Sequence, residues 1–234
     1  MSPKTRKPLE ARVVSAAEEA LARQDFVSPI DVLVGLGWLA ESTVAHWRRG
    51  GVEALENEVR TDPTRVSQAM KLFRAWAEKK SLTPSETRYV ARSPQRNELR
   101  FSVSGDSGVE RFYRTHWISP DLPEKKRERL AEKASRPPEL VVISPNNRDW
   151  KCHRCGGATG FLIMEDAGPA CMNCVGLGDL VFLPAGDAKL TRLAKAKSAR
   201  VAVVVRFSRS RKRYERQGLL VEEAALREAE SEGA

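Results

Sequence analysis

All four cysteines of the chain fall in one pattern, Cys152-x2-Cys155-x15-Cys171-x2-Cys174. Two cysteines three apart in a tight turn can both aim sulfur at one cation. A connector of this length is enough for a hairpin that returns the second pair to complete a tetrahedron. No thiol is left over. The spacing predicts a structural metal site, with zinc as the expected ion and rubredoxin-like iron as the chemical rival. Four thiolates close the coordination shell, whereas catalytic zinc keeps a position open, so the expected role is to hold the fold. Disulfides are the other use of paired cysteines. With no signal-peptide pattern behind the basic start of the chain, a cytoplasmic location and metal ligation are expected instead. His153, between the first two cysteines, is a spare ligand that four cysteines make unnecessary.

Charge is the second constraint. The net charge of +9 is concentrated, because residues 189–216 hold eleven Lys/Arg against the single acid Glu215. That segment is +10, so the remainder sums to about −1. A basic stripe of this kind suits a polyanion, most often nucleic acid. No apolar run reaches the roughly 18–20 residues of a membrane helix, so no membrane partner is expected.

The fold class expected is α+β, in six segments. Residues 1–8 are a disordered basic leader, and residues 9–80 a helical module offering a possible surface for a protein partner. Residues 81–118 are a small α+β segment, and residues 119–138 a charged helical linker ended by Arg136, Pro137 and Pro138. Residues 139–184 carry the four-cysteine zinc finger, and residues 185–234 a basic α/β region. Within the helical module, Ser28-Pro29-Ile30-Asp31 and Asp62-Pro63 have the form of helix starts, and Ser42 is a third candidate cap. Val66, Ala69, Met70, Phe73, Trp76 and Ala77 follow the rhythm of a buried helical stripe. The short helices around Gly35 to Gly37, ending in Trp47-Arg48-Arg49, have some features of a helix-turn-helix. Trp47 is more simply a core anchor.

Further along, residues 88–91 and 98–103 read as strands, and Asp106 as the cap of a helix running through Trp117. In the finger, a helix over residues 175–182 would make a treble clef and an extended segment a zinc ribbon. The helix is slightly favoured despite Gly176 and Gly178. Asp187 starts a basic helix over residues 188–197, and residues 200–207 form a β-branched strand. A short helix over residues 209–217, stopped by Gly218, is expected to present Arg209, Arg211, Lys212, Arg213 and Arg216. With Arg206 on the strand, these would neutralise phosphates, and Tyr214 would stack on an unpaired base.

Residues 180–192 and 202–222, including Arg206-Phe207 and the run Arg209 to Gly218, resemble bacterial proteins of the domain of unknown function 2293 family. The resemblance covers about the last third of the chain, and bacterial members share the upstream cysteine pairs. Other branches carry an Arg-His pair at the end of a strand. Here the place holds Arg206-Phe207, and Tyr214-Glu215 falls later than that pattern puts it. No role of that histidine transfers.

The function expected is zinc-stabilised binding of RNA or nonspecific DNA through the basic C-terminal region. An adaptor docking an acidic partner is the alternative. An enzyme acting on nucleic acid ranks third, because Glu98, Asp106, His116 and Asp187 show no catalytic spacing.

Overall fold

Short polar side chains start four of the helices. Ser28 and Asp31 form a reciprocal capping box at the helix α2 (Pro29–Gly35), and the Asp62 carboxylate accepts from Arg65 N at α4 (Pro63–Lys79). Asp106 accepts from Gly108 N and Val109 N at α5 (Ser107–Arg114), and Asp187 from Leu190 N at α7 (Ala188–Lys197). Each cap satisfies backbone donors that a helix start leaves unpaired, a contribution of about 1 kcal/mol. Ser42 is not a cap: α3 (Glu41–Arg48) begins two residues earlier than a Ser42 cap would set it, with Ala40 at the cap position.

The computed structural model describes residues 8–135, 138–147, 149–157 and 160–233. The leader apart from Pro8, and the Arg136-Pro137 breaker, lie outside these residues. The chain divides into two units, residues 8–91 with 95–135, and residues 92–94 with 138–233.

In the first unit, α1 (Leu9–Gln24), α2 and α4 enclose one core. The stripe on α4 buries Ala69, Met70, Phe73, Trp76 and Ala77, and Trp47 of α3 is fully buried among them. Its indole Nε1–H donates to Arg100 O at 2.9 Å. Trp47 is thus the core anchor, and a buried ring of this size outweighs any single surface contact of α3.

The 81–118 segment shares that core through Leu99, Phe101, Tyr113 and Trp117. It differs from expectation in two places. First, the helix from Asp106 stops at Arg114, and Thr115–Ile118 form the central strand β3. This strand lies between β1 (Phe26–Val27) and β2 (Thr83–Glu86), antiparallel to both. The β-branched Thr115 and Ile118 suit a pleated strand with two partners. Second, residues 88–91 and 98–103 make only the isolated bridge Val90–Glu98 and a bridge from Arg100 to Ala54. The buried Glu110 carboxylate takes the place of a strand partner: Phe101 N, Ser102 N and Ser102 Oγ all donate to it. The charged α6 (Glu124–Ser135) forms as expected.

The second unit is built on a six-stranded sheet, ordered β6 (Gly168–Cys171), β5 (Leu162–Glu165), β4 (Leu140–Ile143), β8 (Ala202–Ser208), β9 (Arg213–Val221), β7 (Val181–Pro184). Only β4 and β8 run parallel; the other neighbours are antiparallel. Leu140, Val142, Ala202, Val204 and Leu220 point to one face, where they pack with the cysteine module. Val203, Leu219 and Val221 point to the other, under α7 and α8 (Glu223–Gly233).

The expected helix over residues 209–217 is absent. Residues 209–212 are the turn of a hairpin, and Arg213–Val221 is one continuous strand. Each β8 residue finds a β9 partner from Ser208–Arg213 to Ala202–Leu220, with a bulge at Gln217 opposite the Val204–Val205 step. The ladder hydrogen bonds and the burial of Leu219 to Val221 outweigh the helix propensity of a short arginine-rich run, which has no apolar stripe to bury. Gly218 is no helix stop. A Cβ there would meet Leu183 O and Leu183 C of the neighbouring β7 at or inside 3.0 Å, so the two backbones approach only because the residue is glycine.

Candidate metal centre and basic hairpin

The four cysteines come from two turns. Cys152 and Cys155 lie in a loop where Gly156 N donates to Cys152 O and Cys152 N to Gly157 O. Cys171 is the last residue of β6, and the chain turns at once so that Val175 N donates to Cys171 O. Gly156 and Gly176 take positive φ, 73° and 74°, each just past its cysteine pair; a side chain would strain both turns. Residues 172–179 are turns rather than a helix, so the helix that a treble clef requires is missing. Gly176 at positive φ ends any helical path there.

The hairpin β5–β6 brings the pairs together, with Leu162 opposite Cys171. All four Sγ atoms fall within 4.8 Å of one another. Cys155 Sγ and Cys171 Sγ are 3.7 Å apart. A disulfide needs about 2.05 Å. A tetrahedron with metal–sulfur bonds of about 2.3 Å sets its edges at about 3.8 Å. The separation is that of co-ligands. Cys152 and Cys171 are buried against the sheet, Cys174 is half-buried and Cys155 exposed.

The electrostatics fit a cation. Burial acts to raise the Cys152 thiol, yet backbone N–H groups of Cys171, Cys155 and Arg154 bring it down to about 6. Cys174 is pushed up to about 12, chiefly by hydrogen bonding with Cys155 and Cys171. Sulfurs crowded this closely cannot all ionise on their own, and a divalent cation removes the conflict. These four cysteines can hold a metal ion.

A carboxylate clamps the first turn to the hairpin. Glu165 on β5 accepts from His153 Nε2–H at 2.7 Å and from Arg154 Nη2 at 2.6 Å, while Arg154 Nη1 donates to Cys174 O at 3.1 Å. His153 is therefore committed away from the sulfurs. Arg154 links both cysteine turns, and nothing in its position relative to the cysteines announced this.

The basic residues gather on the β8–β9 hairpin. Arg206 donates to Ser144 Oγ. Arg211 and Arg213 both reach Glu215. Arg209, Lys212 and Arg216 are exposed. Tyr214 faces Phe207 across the hairpin, with ring centroids 5.3 Å apart. Phe207 was missed by sequence reasoning. The β-branched run up to Phe207 marks one strand, but the segment after the turn, Arg213 to Val221, has too few β-branched or aromatic residues to announce its partner.

Each of the enzyme candidates has a structural partner. Glu98 pairs with Arg88 and Arg114, Asp106 and Asp187 cap helices, and His116 is buried against Phe26 and Tyr89. No helix among the described residues is long and apolar enough to cross a membrane.

No protein-family model, curated protein or solved structure matches the chain.

Proposed function

We propose that the protein is a cytoplasmic nucleic-acid-binding protein whose C-terminal unit is braced by a zinc tetrathiolate of ribbon type. Cys152, Cys155, Cys171 and Cys174 hold the ion. Two β-turn cysteine pairs joined by a hairpin, with strand and turn instead of a helix after the second pair, support the ribbon assignment over a treble clef. When bound, zinc supplies charge neutralisation and a cross-link, and the chain's own Glu165, His153 and Arg154 orient the first turn. The resemblance of residues 180–192 and 202–222 to the domain of unknown function 2293 family belongs to this proposal.

The observation that carries the nucleic-acid reading is the placement of charge. Residues 206–216 hold six Lys/Arg and one acid, and the hairpin puts them on a single projecting element. Glu215 is already shared by Arg211 and Arg213 and Arg216 also acts on Glu139, while Arg209, Lys212 and Arg216 are all exposed to meet phosphates. Filter binding across a salt series tests this. Replacing these three by Gln weakens binding to RNA and DNA and flattens the log–log salt dependence by about 0.7–0.9 for each phosphate no longer neutralised. An unchanged slope refutes the assignment.

A further inference from the structure

Side chains alternate along a strand, and directly opposed residues share a face. The register therefore sets Val205, Phe207, Tyr214 and Arg216 on one face of the β8–β9 ribbon, with Val141 and Ile143 of β4 beside them. This is the face that α7 and α8 cover at its other end through Val203, Leu219 and Val221. The helices stop short of the hairpin. As a result Phe207 is 39% exposed and Tyr214 55%; Val141, level with the covered Val203 on the neighbouring strand, is 49% exposed. The bulge at Gln217 divides the strand β9 into a buried apolar half and an exposed half that carries Tyr214 and charges. The two rings meet edge to face, at 68°, so each leaves ring surface free.

We infer that this uncovered half-face is a stacking platform for single-stranded nucleic acid, a deepening that rests on the nucleic-acid reading above. Charge complementarity selects the occupant. Around the rings the hairpin carries Arg209, Lys212 and Arg216, and the carboxylates nearby are already engaged. Glu139 holds Lys195 at 2.6 Å, and Glu215 serves Arg211 and Arg213. A polyanion with flat apolar faces matches rings beside cations. In a duplex the base faces are stacked on each other and out of reach; in a single strand they are free. Two rings and a valine offer too little apolar area to anchor the chain on a bilayer.

The test uses the full-length protein and fluorescence anisotropy with labelled single-stranded ribo- and deoxyribo-oligonucleotides, and with duplexes of the same sequences. Tighter binding of either single strand than of its duplex is expected, and the two single-stranded arms show which sugar is preferred. Phe207→Thr and Tyr214→Thr, which keep strand propensity, each weaken single-strand binding roughly tenfold to a hundredfold with an unchanged salt slope. Tyr214→Phe keeps its affinity. Thermal unfolding confirms that the variants are folded. Equal affinity for duplex, or Thr variants that bind like the parent, overturns the platform and leaves the nucleic-acid reading standing. Absence of binding to every oligonucleotide overturns both. Capture by anionic vesicles alone, or self-association lost in the Thr variants, assigns the face to another occupant and also overturns the inference.

Discussion

Lowering the pH from 7 to 5 places a proton on His116 in the unfolded chain but not in the folded one. The imidazole lies stacked on Phe26, with ring centroids 4.5 Å apart, and its Nε2 is 2.8 Å from the Tyr89 hydroxyl. Burial drives its pKa down from 6.5 to about 4; Asp31 opposes this slightly and Arg48 adds to it. Because the folded value is the lower, the unfolded chain binds more protons between these limits. Stability from this group is therefore complete above pH 6.5 and is lost as pH falls towards 4. At about 1.4 kcal/mol per unit of pKa difference, the full loss is about 3 kcal/mol, of which about 2 is gone by pH 5. Four of the five tryptophans, Trp38, Trp47, Trp76 and Trp117, lie in the first unit. Urea unfolding followed by tryptophan fluorescence at pH 7, 6 and 5 therefore reads this unit. His116→Phe keeps the ring stack and removes the titration, so its stability should fall less steeply with pH than the parent's, by about 1 kcal/mol per pH unit near pH 5.5. Parallel pH curves for the two proteins would refute the reasoning.

Three further outcomes are expected. Gly218→Ala should lower the stability of the second unit by about 1–3 kcal/mol in chemical unfolding, because the new Cβ meets the Leu183 carbonyl of a paired strand; a loss below about 0.5 kcal/mol, the range of ordinary surface changes, contradicts that close approach. Elemental analysis should find one zinc per chain, with chelation or Cys171→Ser abolishing it and lowering the melting temperature; full zinc and stability in the Ser variant counts against the four-sulfur site. Glu110 is pulled towards a higher pKa by burial but held below the usual carboxylate range by Phe101 and Ser102. Its stabilisation is present above the ordinary carboxylate pKa and is lost as pH falls through the lower folded value. Glu110→Gln should destabilise the first unit at pH 7 by about 1–3 kcal/mol, with a gap that narrows below pH 4; a constant gap rules out the carboxylate as the cause.

What could be read along the chain was local chemistry. Ser28 with Asp31, Asp62 with Pro63, Asp106 and Asp187 announced helix starts because a cap is made within three residues. The stripe from Val66 to Ala77 announced a buried face by its period. The cysteine spacing announced a cluster, since a pair in a turn has few places to send its sulfurs, and the cluster is there. What needed a partner distant in sequence was hidden. Residues 98–103 have the composition of a strand, but the Glu110 carboxylate takes the N–H groups of Phe101 and Ser102, and Glu56 that of Val103. Thr115–Ile118 continues a helical pattern, yet pairs between β1 and β2. The run from Arg209 to Gln217 can be either helix or hairpin by propensity. Only the pairing of β8 with β9, and the close pass of Gly218 over Leu183, selects the hairpin. The sequence by itself determined four of the helix caps, the buried stripe of α4 and which sulfurs converge, because those choices are settled over a few residues. Tertiary structure decided that Phe207 stands opposite Tyr214 beside Arg216 on an uncovered sheet face, because cross-strand neighbours exist only once the strands have paired.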